Sequence, residues 1–134
     1  MHITPYLHFE GRCDEAIEFY GKAVGAEVKM LMRFKDAPDQ SMISHGNKEK
    51  VMHAELRIGD STVLVSDGRC QTPPKFQGFS LATTVKSEAE ADKCYNALAD
   101  GGQPLMPLAK TFFSPRFGMV TDRFGVMWMV MVGQ

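Results

Sequence analysis

The sequence lacks the features that would tie it to a membrane, a nucleic acid or an oxidising compartment. No apolar run approaches the roughly 20 residues of a membrane span, and residues 1–10 lack the basic and apolar pattern of a signal peptide. The net charge of −1 leaves no basic surplus for nucleic acid or anionic lipid. The only three cysteines are Cys13, Cys70 and Cys94. Their odd number and wide spacing favour reduced thiols over disulfides or a zinc site. We therefore expect a cytoplasmic protein.

The composition suits one domain with an adaptable apolar interior. The chain has 134 residues, which is enough to bury a core without covalent cross-links. Ten methionines are present, four of them among residues 119–131. Because methionine fills irregular apolar space, this cluster indicates core packing, with a ligand-facing surface as the alternative.

A short pattern occurs twice. Residues 57–65 read Arg, an apolar residue, Gly and an extended apolar run, and the pattern returns 66 positions later at residues 123–131. The two glycines, Gly59 and Gly125, stand where a tight turn enters a strand and positive φ is common. A second echo pairs residues 15–20 with residues 90–95. Together these echoes predict an internal duplication.

Periodicity and turn residues predict the same order of elements in each half. The predicted elements are strands 3–9, 27–34, 51–58 and 61–66 with helix 15–24, then strands 79–85, 103–108, 117–121 and 126–132 with helix 88–99. Asp14 and Ser87 are the predicted helix caps, with Glu90 completing a capping box in the second. Residues 35–50 read as a loop.

This order predicts an α+β fold of two βαβββ modules, residues 1–68 and 78–134, joined by a linker at residues 69–77 within a single domain 1–134. Two such sheets would form an open, barrel-like sheet around a cavity, with the helices outside. A cavity between two halves is a natural small-molecule site.

The duplicated modules and their motifs resemble the vicinal oxygen chelate superfamily, and within it the PhnB-like group often labelled 3-demethylubiquinone methyltransferase-like. The matching motifs are Tyr6-Leu7 with Phe9 and Gly11, Glu15-Ala16-Ile17 with Phe19-Tyr20, Gly25-Ala26-Glu27, His53-Ala54, Ser66-Asp67, Lys110-Thr111-Phe112-Phe113 and residues 117–128. Two apolar departures occur, because Phe113 stands where the group commonly has Trp and Met127 where it commonly has Pro.

The resemblance implies divalent-metal ligands on the first and last strand of each module in metal-dependent members. The repeat aligns these positions with Pro5, Ser80, Val63 and Met129, none of which is a His, Gln or Glu. A slip of one residue gives Tyr6, Leu64 and similar side chains, which suit a divalent ion no better. We therefore expect no metal and no cofactor. A divalent ion held by His8, His53 and Glu55 is the remaining alternative.

The candidate ligand-binding residues are Tyr6, His53, Glu55, Ser80, Phe112, Phe113, Trp128 and Met129. His53 is the best catalytic candidate, as a general base or a hydrogen-bond donor, and its structural alternative is a hydrogen bond across the sheet. Trp128 and Met129 face opposite ways, so only one of them lines the cavity. Asp67 is interpreted as a cap on the linker turn, with a ligand contact as the alternative. Asp122 is interpreted as ordering its own turn, with catalysis as the alternative.

Two functions stay open at this point. One is a binding protein that holds a small, largely apolar molecule, as the resemblance to drug-binding members implies. The other is a metal-dependent or metal-independent lyase, isomerase or transferase acting on a small oxygen-rich substrate. Methyl transfer of the usual kind needs a glycine-rich strand-to-helix turn, whereas Gly101 and Gly102 follow a helix. The resemblance also implies a homodimer.

Overall fold

The computed structural model describes residues 1–39, 47–70 and 72–133 and divides the chain into two compact units, Met1–Pro74 and Lys75–Gln134. Residues 40–46 of the predicted loop 35–50 therefore lie outside the described residues, as does Gln71 of the predicted linker. Within the described ranges, no helix combines the length and apolarity needed to cross a bilayer.

Unit 1 is a four-stranded sheet with one long helix. Its elements are β1 (Tyr6–His8), α1 (Cys13–Ala23), β2 (Glu27–Arg33), a 3-10 turn (Phe34–Asp36), β3 (Val51–Ile58) and β4 (Ser61–Ser66). The strand order is β1-β4-β3-β2, with β1 parallel to β4 and the other pairs antiparallel. The bounds of β3 and β4 match the prediction, whereas β1 is shorter than the predicted strand 3–9.

Unit 2 repeats this arrangement. Its elements are β5 (Leu81–Val85), α2 (Glu88–Ala99), β6 (Gln103–Ala109), β7 (Phe117–Thr121) and β8 (Met127–Val132). The order β5-β8-β7-β6 places β6 at an edge, where Pro104 and Pro107 cost no interior ladder bond. The prediction of an α+β chain built from two βαβββ modules is confirmed.

One buried carboxylate, which directly follows β4, connects that strand to the starts of α1 and β3. Asp67 is fully buried, and its Oδ1 accepts the backbone N–H groups of Gly11 at 2.9 Å and Cys13 at 2.7 Å. Its Oδ2 accepts the N–H of Val51 at 2.8 Å. Asp67 thus joins the start of α1 to the start of β3, so the interpretation of Asp67 as a linker cap is wrong.

The prediction that Asp14 caps the first helix is also wrong. Helix α1 begins at Cys13, and Asp14 lies inside its first turn instead of preceding it. The Asp14 carboxylate pairs with the Arg33 guanidinium through two 2.9 Å contacts. A hydrogen bond from Arg33 lowers the pKa of Asp14. Asp67 supplies the acceptor that the side chain at the N-cap position, Arg12, does not.

Unit 2 has its own buried carboxylate at Asp122. Its Oδ1 accepts the N–H groups of Phe124 at 2.9 Å and Val126 at 3.0 Å, which confirms that Asp122 orders its own turn. Its Oδ2 accepts the indole N–H of Trp128 at 2.9 Å. Each unit is therefore organised around one nearly inaccessible aspartate that accepts three N–H groups.

Helix α2 begins at Glu88 and is capped as predicted by Ser87, whose Oγ accepts the N–H of Glu90 at 3.1 Å. The Glu90 carboxylate accepts the N–H of Lys86 at 3.4 Å instead of closing the box on Ser87. Replacing Ser87 with alanine is expected to lower the free energy of unfolding by about 1 kcal/mol, because one helix N–H loses its acceptor. Denaturant titration measures this loss. Ser61→Ala, at an exposed strand start, is the control, and equal stability of the two variants would contradict the cap.

The sheet of each unit has one face toward its helix and one face away from it, here called the open face. In unit 1 the helix side carries Val63, which is 8% exposed, and the alternating residue Leu64 lies on the open face. In unit 2 the helix side carries Gly118 and Trp128, and Met129 lies on the open face. Val63 and Met129, aligned in the sequence repeat, therefore occupy opposite kinds of face.

The two hairpin loops account for this mismatch. Ile58 pairs with Ser61 across a two-residue turn, whereas Thr121 pairs with Met127 across a longer loop. Both turn glycines adopt the predicted positive φ, +58° at Gly59 and +94° at Gly125. Val63 and Met129 stand at the same distance after their turn glycines, but the different loop lengths make them point to different faces of their sheets. The alignment of Val63 with Met129 as equivalent positions is therefore wrong.

Candidate functional site

A tyrosine–histidine pair stands on the open face of unit 1. Tyr6 lies on the edge strand β1 and His53 on β3, with β4 between them. The Tyr6 phenol crosses β4, and its oxygen lies 2.7 Å from Nδ1 of His53. The two rings are 5.5 Å apart between centroids. Two side chains separated by 47 positions in sequence thus form one polar group on the sheet surface.

The hydrogen bond defines what this pair can offer a ligand. A phenol is protonated near neutral pH, so we assign its O–H as the donor to Nδ1, which leaves the ring proton of neutral His53 on Nε2. Burial raises the pKa of the Tyr6 phenol, and a hydrogen bond with Ser66 offsets part of that rise. The pair therefore presents an N–H donor, oriented by Tyr6, to a ligand acceptor oxygen.

A second histidine supports Tyr6 from beside it. The ring of His8 stacks on the Tyr6 ring with centroids 4.8 Å apart and an interplanar angle of 12°. Tyr6 itself is 40% exposed. The phenol is thus held on one side by His8 and at its tip by His53, while its remaining surface is accessible.

Apolar and acidic side chains surround the pair on the same face. In the sheet register His53 is opposite Met32, and Glu55 is opposite both Met30 and Leu64. Directly opposite residues in a sheet project to the same side. Glu55 therefore shares the open face with His53, as predicted, within a largely apolar surround.

The structure places the other predicted ligand residues in unit 2. Met129 lies on its open face, opposite Met119. Trp128 lies on the helix side, is 3% exposed and donates to Asp122, so it belongs to the core of unit 2. Ser80 is half-buried and directly precedes β5.

The loop after β6 displays its two phenylalanines. Phe112 is 97% exposed, and its ring meets that of Phe113 edge-on, with centroids 5.1 Å apart. The Phe113 ring meets that of Phe117 in the same way, also at 5.1 Å.

Sequence reasoning missed the residue that shapes this loop. Ser114 is 2% exposed, and its Oγ donates within 2.8 Å of the Val132 carbonyl oxygen while its N–H donates to Thr111. The only signal in the sequence is a serine that follows two phenylalanines and precedes a proline.

The donor set does not fit the divalent metal that the resemblance implies. On the open faces, the last strands of the two units carry Leu64 and Met129, flanked by Thr62, Ser66, Met127 and Met131. None of these last-strand side chains is a carboxylate or an imidazole. Within residues 1–39, 47–70 and 72–133, no three His, Cys, Asp or Glu side chains are grouped to hold a metal ion.

The cysteines are poorly suited to nucleophilic chemistry. All three are free thiols, and burial raises the pKa of Cys94 to about 11. Burial, and the negative charge of Asp67, also raise the pKa of Cys13 and Cys70. Since the thiolate is the nucleophile, these thiols are largely protonated at neutral pH.

Comparison with known proteins matches this architecture. The family model described as 3-demethylubiquinone-9 3-methyltransferase matches residues 1–131. Protein YjdN of Escherichia coli (strain K12) is 32% identical over 140 aligned positions, which cover 98% of this chain and 95% of that protein. The crystal structure of protein PA1353 from Pseudomonas aeruginosa has 40% identity and a TM-score of 0.87, covering 100% of this chain and 98% of that one. The PhnB protein of Bacillus cereus has 28% identity and a TM-score of 0.82, with 99% and 100% covered.

The paired modules give the chain the fold of the vicinal oxygen chelate type, which a glyoxalase-related enzyme and a glyoxylase/bleomycin resistance protein/dioxygenase domain of solved structure also have. The chain belongs to the PhnB-like family described as 3-demethylubiquinone-9 3-methyltransferase. The resemblance drawn from the sequence motifs is confirmed.

Proposed function

We propose that this protein binds a small, largely apolar molecule on the open face of unit 1 and that it does so without a divalent metal. The observation that carries the proposal is the 2.7 Å contact between the Tyr6 oxygen and His53 Nδ1. It fixes one polar group among apolar side chains such as Met32 and Leu64. Sites for small molecules commonly combine an apolar lining with a few well-placed polar groups.

The chemistry of the pair indicates what the ligand carries. An Nε2–H donor on His53 favours a carbonyl, ether or hydroxyl oxygen on the ligand. The exposed Tyr6 ring and the methionines offer apolar and polarisable contact area. Glu55 on the same face would accept from a ligand hydroxyl or amine. The proposed ligand is thus an apolar molecule with one or two oxygen-containing groups.

The test is a thermal-shift screen of small apolar molecules that each carry a carbonyl or hydroxyl group. A compound at 100 times its Kd is expected to stabilise the protein by about 2.7 kcal/mol. For any compound that raises Tm, Tyr6→Phe and His53→Gln are each expected to weaken binding about tenfold, since one oriented hydrogen bond is lost. Isothermal titration calorimetry measures these affinities.

The matched control is His2→Gln, which removes an exposed histidine that lies outside the strands. Its affinities are expected to equal those of the wild type. The proposal fails if compounds bind the Tyr6 and His53 variants as tightly as the control. Elemental analysis of protein purified without chelator gives an independent check, because stoichiometric Mn, Fe, Ni or Zn would contradict metal-free binding.

The second candidate function is catalysis, and the same hydrogen bond favours it. A histidine oriented by a phenol is suited to move a proton to or from a bound substrate. A lyase, isomerase or transferase acting on a small oxygen-rich substrate would then convert compounds found in the screen. Mass spectrometry of the compounds after incubation separates the two functions, since conversion that is lost in His53→Gln indicates an enzyme.

The proposal extends to a cytoplasmic homodimer with reduced thiols. Free Cys13, Cys70 and Cys94 suit a reducing compartment. Closed two-fold dimers are the commonest oligomers of soluble proteins. Sedimentation at the single-chain mass of 14.9 kDa would contradict the dimer.

A further inference from the structure

The open face of unit 2 carries half of the methionines in the chain. These residues are Met106, Met119, Met127, Met129 and Met131. They lie on β6, β7 and β8, which are neighbours in the sheet. Strand pairing therefore brings together residues that are up to 25 positions apart in the sequence. All five lie in unit 2, so the cluster has no role in the function proposed for unit 1.

Three of the methionines form a row across the sheet. Met106 on β6 is directly opposite Met119 on β7, and Met119 is directly opposite Met129 on β8. Side chains in directly opposite positions have Cβ atoms about 5 Å apart, so flexible thioethers from three such positions can converge on one point. Met127 and Met131 flank Met129 along β8 on the same face.

The row is accessible and uncharged. Met106 is 45% exposed on the edge strand, while Met119 and Met129 are half-buried. The other β7 positions on this face are Phe117 and Thr121, which carry no charge. A hard divalent ion would find no anionic oxygen ligand here, whereas neutral thioethers select soft ions such as Cu(I).

From this geometry we propose that Met106, Met119 and Met129 form a binding site for a soft monovalent metal ion, Cu(I) or its analogue Ag(I). The site lies wholly within unit 2. Cys94 belongs to α2, on the other side of this sheet, and takes no part in it. Three neutral sulfur ligands on separate strands hold the ion, and the exposed Met106 provides its entry.

The test is anaerobic titration with Cu(I) in competition with a chromophoric Cu(I) chelator. Because thiols bind Cu(I) tightly, the parent protein carries Cys70→Ser and Cys94→Ser, which leave only the fully buried Cys13. The parent is expected to bind a single Cu(I) ion with an all-sulfur shell in X-ray absorption spectra. Adding Met106→Leu, Met119→Leu and Met129→Leu is expected to weaken binding about tenfold or more while keeping apolar volume.

The matched control adds Met30→Leu and Met32→Leu in unit 1 instead, and its affinity for Cu(I) is expected to equal that of the parent. Equal affinity of the row variant and the parent would overturn the proposal. If the row variant does not fold, the wild-type protein with ¹³C-methyl methionine provides the measurement. Ag(I) is then expected to shift the methyl resonances of Met106, Met119 and Met129, and a shift confined to other methionines would overturn the site.

Discussion

Replacing Asp67 with asparagine is expected to lower the free energy of unfolding by about 3 kcal/mol, although the two side chains have the same shape. The two carboxylate oxygens accept N–H groups from opposite directions, those of Gly11 and Cys13 on one side and that of Val51 on the other. An amide has only one acceptor oxygen, so its NH₂ group must face a backbone N–H. A buried donor without an acceptor accounts for the loss.

Denaturant titration followed by circular dichroism measures this loss of stability. Asp60→Asn makes the same chemical change in the exposed turn between β3 and β4 and is expected to stay within about 0.5 kcal/mol of the wild type. Amide hydrogen exchange gives a residue-level check, since Gly11, Cys13 and Val51 should lose protection in Asp67→Asn. A variant as stable as Asp60→Asn would show that Asp67 does not hold these elements together.

Replacing Gly102 with alanine is the second change expected to have a large effect. Gly102 lies between α2 and β6, where a Cβ atom would collide with the Thr121 carbonyl oxygen and approach the Asp122 backbone to 2.9 Å. These are main-chain atoms, which cannot rotate away as a side chain does. The start of β6 must therefore move from the end of β7, at an expected cost of about 3 kcal/mol.

Gly21→Ala is the matched control, since Gly21 lies within α1 and its added Cβ would meet only the Ala26 carbonyl oxygen at 3.6 Å. This variant is expected to gain about 0.5–1 kcal/mol from the higher helix propensity of alanine. Thermal unfolding of both variants should move Tm in opposite directions. A Gly102→Ala protein with unchanged Tm would show that the strands separate at little cost.

The sequence predicted best where local signals agree. Helix α2 has the predicted bounds because Ser87 caps one end and glycine at 101, with φ of +79°, follows the other. Strand β3 has the predicted bounds because its polar and apolar residues alternate between two glycine- or asparagine-containing turns. By contrast, the start of α1 depends on Asp67, more than 50 positions away, and no local pattern contains that contact.

In the candidate site, too, local patterns predicted the strands and faces but not the contact between distant residues. Periodicity placed Tyr6, His53 and Glu55 on strands and paired His53 with Glu55 on one face, as the structure has them. The hydrogen bond from Tyr6 to His53 depends on the strand order β1-β4-β3, which periodicity does not define. The repeat could not reveal that Val63 and Met129 face differently either, because a change in loop length before a strand reverses its faces.

The burial of Trp128 also gives the protein an internal reporter. It is the single tryptophan of the chain, it lies in unit 2, and it is enclosed beside Asp122. Its fluorescence therefore follows the unfolding of unit 2 alone, whereas circular dichroism follows the helices and strands of both units. Coincident curves from the two signals would mean that the duplicated halves unfold as one cooperative structure, and separated curves would assign the less stable half directly.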